Sequence, residues 1–99
     1  MIQIQIKAKH GHVSIDVSGH ANAAPKGEDV ICAGVSTLLL TLCEALTRAN
    51  VQDYDYRLGE GDAHIEFQKN KASKPILFTV MCGFKFLADS YPQYVKVSV

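Results

Sequence analysis

The first twenty residues, MIQIQIKAKHGHVSIDVSGH (Met1–His20), decide the fold. Ile2, Ile4, Ile6 and Ala8 alternate with Gln and Lys, and Val13, Ile15 and Val17 alternate with Ser and Asp. Successive side chains of an extended chain point to opposite faces, so each run offers one apolar face to a core and one polar face to water. His10-Gly11 sits between the two runs as a hairpin turn. The result is two antiparallel strands, each with one wet face, and a sheet of this kind needs a covering layer on only one side. The alternation begins at once, whereas a secretory leader shows a basic start followed by an unbroken apolar core.

Working outward, from about Asp29 to Ala49 the residues Ile31, Val35, Leu38, Leu39, Leu42 and Leu46 gather on one side at helical spacing, with Thr37, Thr41, Glu44 and Arg48 opposite. That is a helix packed on the sheet. A second pair of strands is expected over Val51 to Leu58 and Ala63 to Gln68, joined through Gly59-Glu60-Gly61-Asp62. A second helix follows from Ser73 to Ser90, with Ser73 as its N-cap, Pro75 in its first turn and Tyr91-Pro92 ending it. Val95, Val97 and Val99 alternate with Lys and Ser as a fifth strand. The expectation is one α+β domain over residues 1–99, two-layered, with a mainly antiparallel five-stranded sheet and two helices on one face in the order ββαββαβ.

The second helix carries apolar residues on two sides. Ile76, Val80, Phe84 and Leu87 form one stripe, and Phe78, Cys82 and Phe86 another almost opposite. Only one stripe can face the sheet, so the other needs a cover. A homodimer contact is expected there; the alternative is a cover from a loop or from the first helix.

Composition narrows the function. Ten Lys and Arg balance ten Asp and Glu, so no bulk charge favours a phosphate backbone or an anionic membrane, and neither nucleic acid nor membrane is expected as a partner. The longest uncharged run, Val30 to Cys43, contains Ser and Thr and falls short of a bilayer. A soluble, cytoplasmic protein is expected. Cys32, Cys43 and Cys82 are odd in number and lack CxxC spacing, which argues against a disulfide framework or a zinc knuckle. Cys43 and Cys82 read as small hydrophobes within apolar helical patterns. His10-Gly11-His12 has no visible third ligand, so no metal site is expected, and no cofactor.

Cys32 differs by its position in GHANAAPKGEDVICAGVS (Gly19–Ser36). With Asp29 as N-cap, Cys32 falls in the first helical turn, where the peptide dipoles favour an anion and lower a thiol's pKa. A histidine within hydrogen-bond reach completes the minimum for acyl transfer, a nucleophile and a base that later serves as acid. His20 is the best candidate, because a strand ending at Gly19 beside the helix start delivers it there. His10 and His12 belong to the far end of the hairpin, and His64 to the polar side of a strand. The intervening loop, Ala21 to Glu28, is built of small residues with one Pro and one Gly, and is a candidate lid.

On these residues the chain resembles a known family, the ribosomal-processing cysteine proteases of bacteria called Prp. Its pattern is Gly-His-Ala, two residues, Ala, two residues, Gly, one residue, Asp, two residues, Cys-Ala-Ala-Val-Ser. Gly19, His20, Ala21, Ala24, Gly27, Asp29, Cys32, Ala33, Val35 and Ser36 meet it, with Gly34 in place of the second alanine. The size and order of elements agree along nearly the whole chain; outside the motif the likeness is of pattern only.

The resemblance implies a homodimeric protease, with a mobile loop over its site, that removes an amino-terminal extension from a ribosomal protein precursor, large-subunit protein twenty-seven. Cys32 would be the nucleophile and His20 the base. That extension resembles an apolar segment ending in aromatic residues, so an apolar pocket is implied, with Phe78 and Phe86 as candidates for part of it. The thiolate would attack the scissile carbonyl, backbone amides at the helix start would hold the oxyanion, and an acyl-enzyme would then hydrolyse.

Other roles stay open at this level. Asp29 either caps the helix or orients His20. Ser36, one turn beyond Cys32, either supports the cysteine or substrate, or bonds back to its own helix. Gly27 is a hinge or an ordinary turn glycine. The competing class is a noncatalytic peptide-binding or ribosome-associated module with an inert Cys32; a redox sensor ranks last, since no second cysteine is placed to resolve a sulfenic acid.

Overall fold

The alternating residues at the amino terminus pair as β1 (Ile2–Lys9) and β2 (His12–Ser18), antiparallel with Ile4 opposite Val17 and Ile6 opposite Ile15. The computed structural model describes residues 1–20 and 25–99, with the backbone alone at 25–29. The chain continues through α1 (Pro25–Arg48), β3 (Asp55–Gly59), β4 (Asp62–Gln68), α2 (Ser73–Ser90) and β5 (Val95–Ser98). Strand order across the sheet is β3-β4-β2-β1-β5, antiparallel except for the parallel pairing of β5 with β1. Val99 lies past the last strand and is exposed.

One face of the sheet is apolar. Ile2, Ile4 and Ile6 of β1, Val13, Ile15 and Val17 of β2, Ala63, Ile65 and Phe67 of β4 and Val95 of β5 are buried in a single core. Ile31, Val35, Leu39, Leu42 and Leu46 of α1 and Leu77, Val80 and Phe84 of α2 complete it, so both helices lie on that face and the fold has two layers. Val30–Arg48 is long and apolar enough to cross a bilayer, with a mean hydropathy of 1.9, but its apolar stripe is the one that closes the core.

Four features differ from the sequence expectation. First, α1 begins at Pro25, not at Asp29. Proline suits the first helical position because its φ is preset and its missing N–H is one the helix leaves unbonded there. The polar turn that follows lacks the apolar periodicity by which a helix is recognised. Second, the α1 C-terminus closes with the Asn50 N–H on the Thr47 carbonyl and the Val51 N–H on the Leu46 carbonyl, both at 3.1 Å, and Asn50 at φ 53°. This left-handed cap buries Val51 beneath the helix end. It therefore takes Val51 out of β3, which shortens to Asp55–Gly59.

Third, Ser73 is the first residue of α2, not its N-cap. Asn70 does the capping: its Oδ1 accepts the N–H groups of Ala72 and Ser73, both at 3.0 Å. Ser73 is fully buried, and its hydroxyl donates to the Gln68 carbonyl at 2.7 Å while accepting the Asn70 N–H at 2.8 Å. Fourth, Cys82 is exposed, while Cys43 is buried as expected. Cys82 belongs to the second stripe of α2, where Phe78 is 65% and Phe86 69% exposed. Neither a loop nor α1 covers that stripe among the described residues.

Candidate active site

β2 ends at Ser18, opposite Asp62 of β4. One step on, the Gly19 N–H donates to the Gly61 carbonyl at 3.0 Å and the backbone turns with φ at +90°. A β-carbon at Gly19 would collide with the Met1 carbonyl oxygen, so only glycine fits this turn off the sheet. The turn delivers His20 to the mouth of a cleft. Across it, α1 presents Cys32, half-buried against the core.

The cleft is about 300 Å³ and open to solvent. Ile2 and Val17 come from the sheet, and Val35, Ser36 and Leu39 from the α1 face that also carries Cys32. The far wall is the β3–β4 turn, Gly59 to Ala63. Of the residues singled out from sequence, Gly19, His20, Cys32 and Ser36 meet here. Ala33 is exposed and does not line the cleft; its carbonyl accepts the Thr37 hydroxyl at 2.8 Å. Thr37, Thr41 and Thr47 all bond back to their helix in this way, while Ser36 makes no such bond among the described residues. Ser36 lines the cleft.

The start of α1 revises the chemistry expected around Cys32. Asp29 is the fifth residue of the helix and Cys32 the eighth. Asp29 is thus past the capping position; its side chain, and with it any role on His20, lies outside the described residues. Gly27 belongs to the first helical turn, so it is not a hinge in a loop. Of the expected lid, residues 25–28 are helix and 21–24, including Ala21, lie outside the described residues. An amide at the eighth helical position is engaged by the carbonyl four residues earlier, and the dipole's benefit fades after the first turn. Free helix-start amides as oxyanion donors at Cys32 are therefore not part of this arrangement.

The apolar pocket also lies elsewhere. No residue of α2 lines the cleft, so Phe78 and Phe86 are not part of it. Instead Ser36, Leu39, Gly59, Glu60 and Ala63 are shared with an adjoining hollow walled by Leu40 and Leu58. Those two leucines also line a broader groove with Thr37, Thr41, Tyr54 and Tyr56. The groove thus runs from the cleft along α1 and the edge strand β3. Tyr54 ties its far end together: its hydroxyl donates to the Cys43 carbonyl at 3.3 Å, and burial, then the neighbouring Cys43 side chain, push its pKa up to about 12.

Sequence reasoning missed the β3–β4 turn as a wall of the site. Its glycines were visible as a hairpin signal, but nothing local shows that β4 pairs with β2, the pairing that places Gly61 beside Gly19. His12 and His64 lie away from the cleft, on the polar face of the sheet with Glu66 and Asp16. Among the described residues no group of three or more His, Cys, Asp or Glu is placed to hold a metal ion.

Residues 1–96 match the sequence profile of the family described as cysteine protease Prp. The chain belongs to the cysteine protease Prp family. A curated Prp relative is the ribosomal processing cysteine protease of Bacillus subtilis (strain 168), 40% identical over 48 residues. That stretch spans 46% of this chain and 43% of the relative, less than half of either. Among solved structures, an essential ribosomal processing protease Prp from S. aureus, in complex with a covalently linked product peptide, superposes with a TM-score of 0.85 at 24% identity, covering 99% of this chain and 98% of that one. The S. aureus protease with a substrate peptide gives 0.77 at 20% identity, over 99% and 98% of the two chains. A Streptococcus mutans protein, SMU.848, also gives 0.77, at 24% identity over 99% and 92%. These likenesses extend the Prp fold over the whole chain, including both hairpins and the parallel β5.

Proposed function

We propose that this chain is a cysteine endopeptidase that removes the amino-terminal extension of large-subunit ribosomal protein twenty-seven, with Cys32 as nucleophile and His20 as general base. One observation carries the reading: a thiol from α1 and an imidazole from the end of β2 line the same open cleft in a chain of the Prp family. The Bacillus subtilis and S. aureus relatives add support, since they are named as ribosomal processing proteases and the S. aureus protease is seen with a covalently linked product peptide.

In this mechanism His20 takes the Cys32 proton and the thiolate attacks the scissile carbonyl. The tetrahedral intermediate then expels the amine, protonated by the imidazolium, and leaves an acyl-enzyme. Water, deprotonated by His20, releases the new carboxyl terminus and restores the thiol. Ser36, which lines the cleft beside Cys32, faces the bound peptide. The Leu40, Leu58 and Tyr56 groove takes the apolar side chains ahead of the cleaved bond. The enzyme acts in the cytoplasm, consistent with three free thiols. It works as a homodimer through the uncovered Phe78 and Phe86 face of α2.

The test is incubation with a peptide carrying the aromatic-ended extension, with products identified by mass spectrometry. Wild type cleaves at one bond, Cys32→Ala abolishes cleavage, and His20→Ala lowers kcat/KM by about 10²–10⁴-fold. Tight binding without cleavage by wild type would instead make the protein a peptide-binding module.

A further inference from the structure

We infer that Gly61, in the turn between β3 and β4, is a positioning residue for His20: the side chain it lacks is the space in which the imidazole sits. The inference rests on His20 being the base of the proposed protease.

The β2–β4 register places Ser18 opposite Asp62, so the residue after Ser18 meets the residue before Asp62. That contact is the Gly19 N–H on the Gly61 carbonyl, at 3.0 Å. Gly61 thereby holds the end of β2, and its α-carbon faces the ring that follows. A β-carbon on Gly61 would lie 2.5 Å from His20 Nε2, 2.8 Å from Cε1 and 3.3 Å from Cδ2. Ordinary contact begins at 3.4 Å, so the ring would have to move by about 1 Å, a displacement that in an active site costs about 100-fold in rate. His20 is exposed, so the ring has room to swing away from the cleft, and the fold need not give way.

Gly61 also has φ at +70°, a conformation that favours glycine in any hairpin turn. The molecule contains the control that separates this backbone demand from the demand of the ring. Gly11, in the β1–β2 turn, has φ at +74° and nothing within 4 Å of its missing β-carbon. Both glycines meet the same conformational requirement, and only Gly61 meets a catalytic side chain.

The experiment compares Gly61→Asn with Gly11→Asn, since asparagine tolerates positive φ. It reads denaturant midpoints, the His20 ring resonances assigned by their loss in His20→Ala, the pH dependence of Cys32 alkylation by iodoacetamide, and peptide cleavage. Both variants are expected to lose similar stability. Only Gly61→Asn should shift the His20 resonances, lose the His20-dependent part of the alkylation profile and drop kcat about 100-fold at unchanged KM. Wild-type ring resonances and kcat in Gly61→Asn would overturn the inference, as would an equal kcat loss in Gly11→Asn. Should Gly61→Asn prove too unstable, combining it with His20→Ala should restore its midpoint to that of His20→Ala alone less the drop seen in Gly11→Asn; failure to recover also overturns it. If wild type neither cleaves nor shows His20-dependent alkylation, the protease reading fails, while the ring resonances still decide whether Gly61 seats His20.

Discussion

Gly34 shows how one residue's effect depends on its neighbours across the helix pair. It stands in α1 where the Prp motif has a second alanine, and a β-carbon there would meet the Leu87 methyls at 3.5 and 3.6 Å, ordinary contact distances. Glycine in a helix interior costs about 1 kcal/mol relative to alanine. Gly34→Ala is therefore expected to stabilise the protein by about 0.5–1 kcal/mol, read as a higher urea midpoint at unchanged slope. A lower midpoint would show that the α1–α2 contact is too tight for a methyl group. Gly83 behaves differently, because an added β-carbon would come to 2.6 Å from Leu38 Cδ2; α2 approaches α1 more closely there and the gain is absent. At this scale Cys32 and His20 stood out as candidates because reactive side chains in a spaced motif announce themselves, and the fold brings both to one cleft. Gly61 was not, since its importance lies in an empty volume beside a residue forty-one positions earlier.

At the scale of elements, the outer sheet face carries a polar network across β2 and β4. His64 Nδ1 lies 2.6 Å from Asp16 Oδ1 and its Nε2 3.5 Å from Glu66 Oε2, which also faces His12 Nε2 at 3.3 Å. Arg57 stands opposite His64 on β3 but is paired with Asp62. The hydrogen bond to Asp16, then its charge and Glu66, outweigh desolvation and raise the His64 pKa. A histidine with a raised folded-state pKa stabilises fully below its unfolded value, about 6.5, and this contribution is lost as pH rises through the folded value. Glu66 is lowered by His12 and His64, so its contribution disappears only in acid, as pH falls through the folded carboxyl pKa. The stability gap between wild type and His64→Gln should therefore be wider at pH 5.5 than at pH 9, measured by urea midpoints. A gap independent of pH would show that the charge on His64 adds nothing to stability. Periodicity announced these strands, yet it misplaced the start of α1 and the cap of α2. Pro25 works through its preset φ and Asn70 through a side-chain oxygen that accepts backbone N–H groups, and neither leaves an apolar repeat.

The whole molecule is asymmetric in how it covers its apolar surfaces. The sheet spends its apolar face on the two helices, and the remaining face is polar. On α2, Phe78, Cys82 and Phe86 stay uncovered among the described residues. If that stripe is the homodimer contact, Phe78→Lys with Phe86→Lys should convert a dimer to a monomer in sedimentation equilibrium. Peptide cleavage should survive, because α2 does not line the cleft. An unchanged oligomer would place the contact elsewhere.

The amino-acid sequence by itself determined the element types, their order and the two-layer architecture, and singled out Cys32 and His20 as the candidate thiol and imidazole. Each of these is written in local periodicity or in a short spaced motif, and short-range physics is enough to read them. Only the tertiary structure decided that β4 lies beside β2, that the β3–β4 turn walls the cleft, and that the apolar groove belongs to α1 and β3 while α2 is left out. Those outcomes depend on which strand edges pair and on how closely backbones approach. They are set by packing between segments far apart in the chain, which no local pattern encodes.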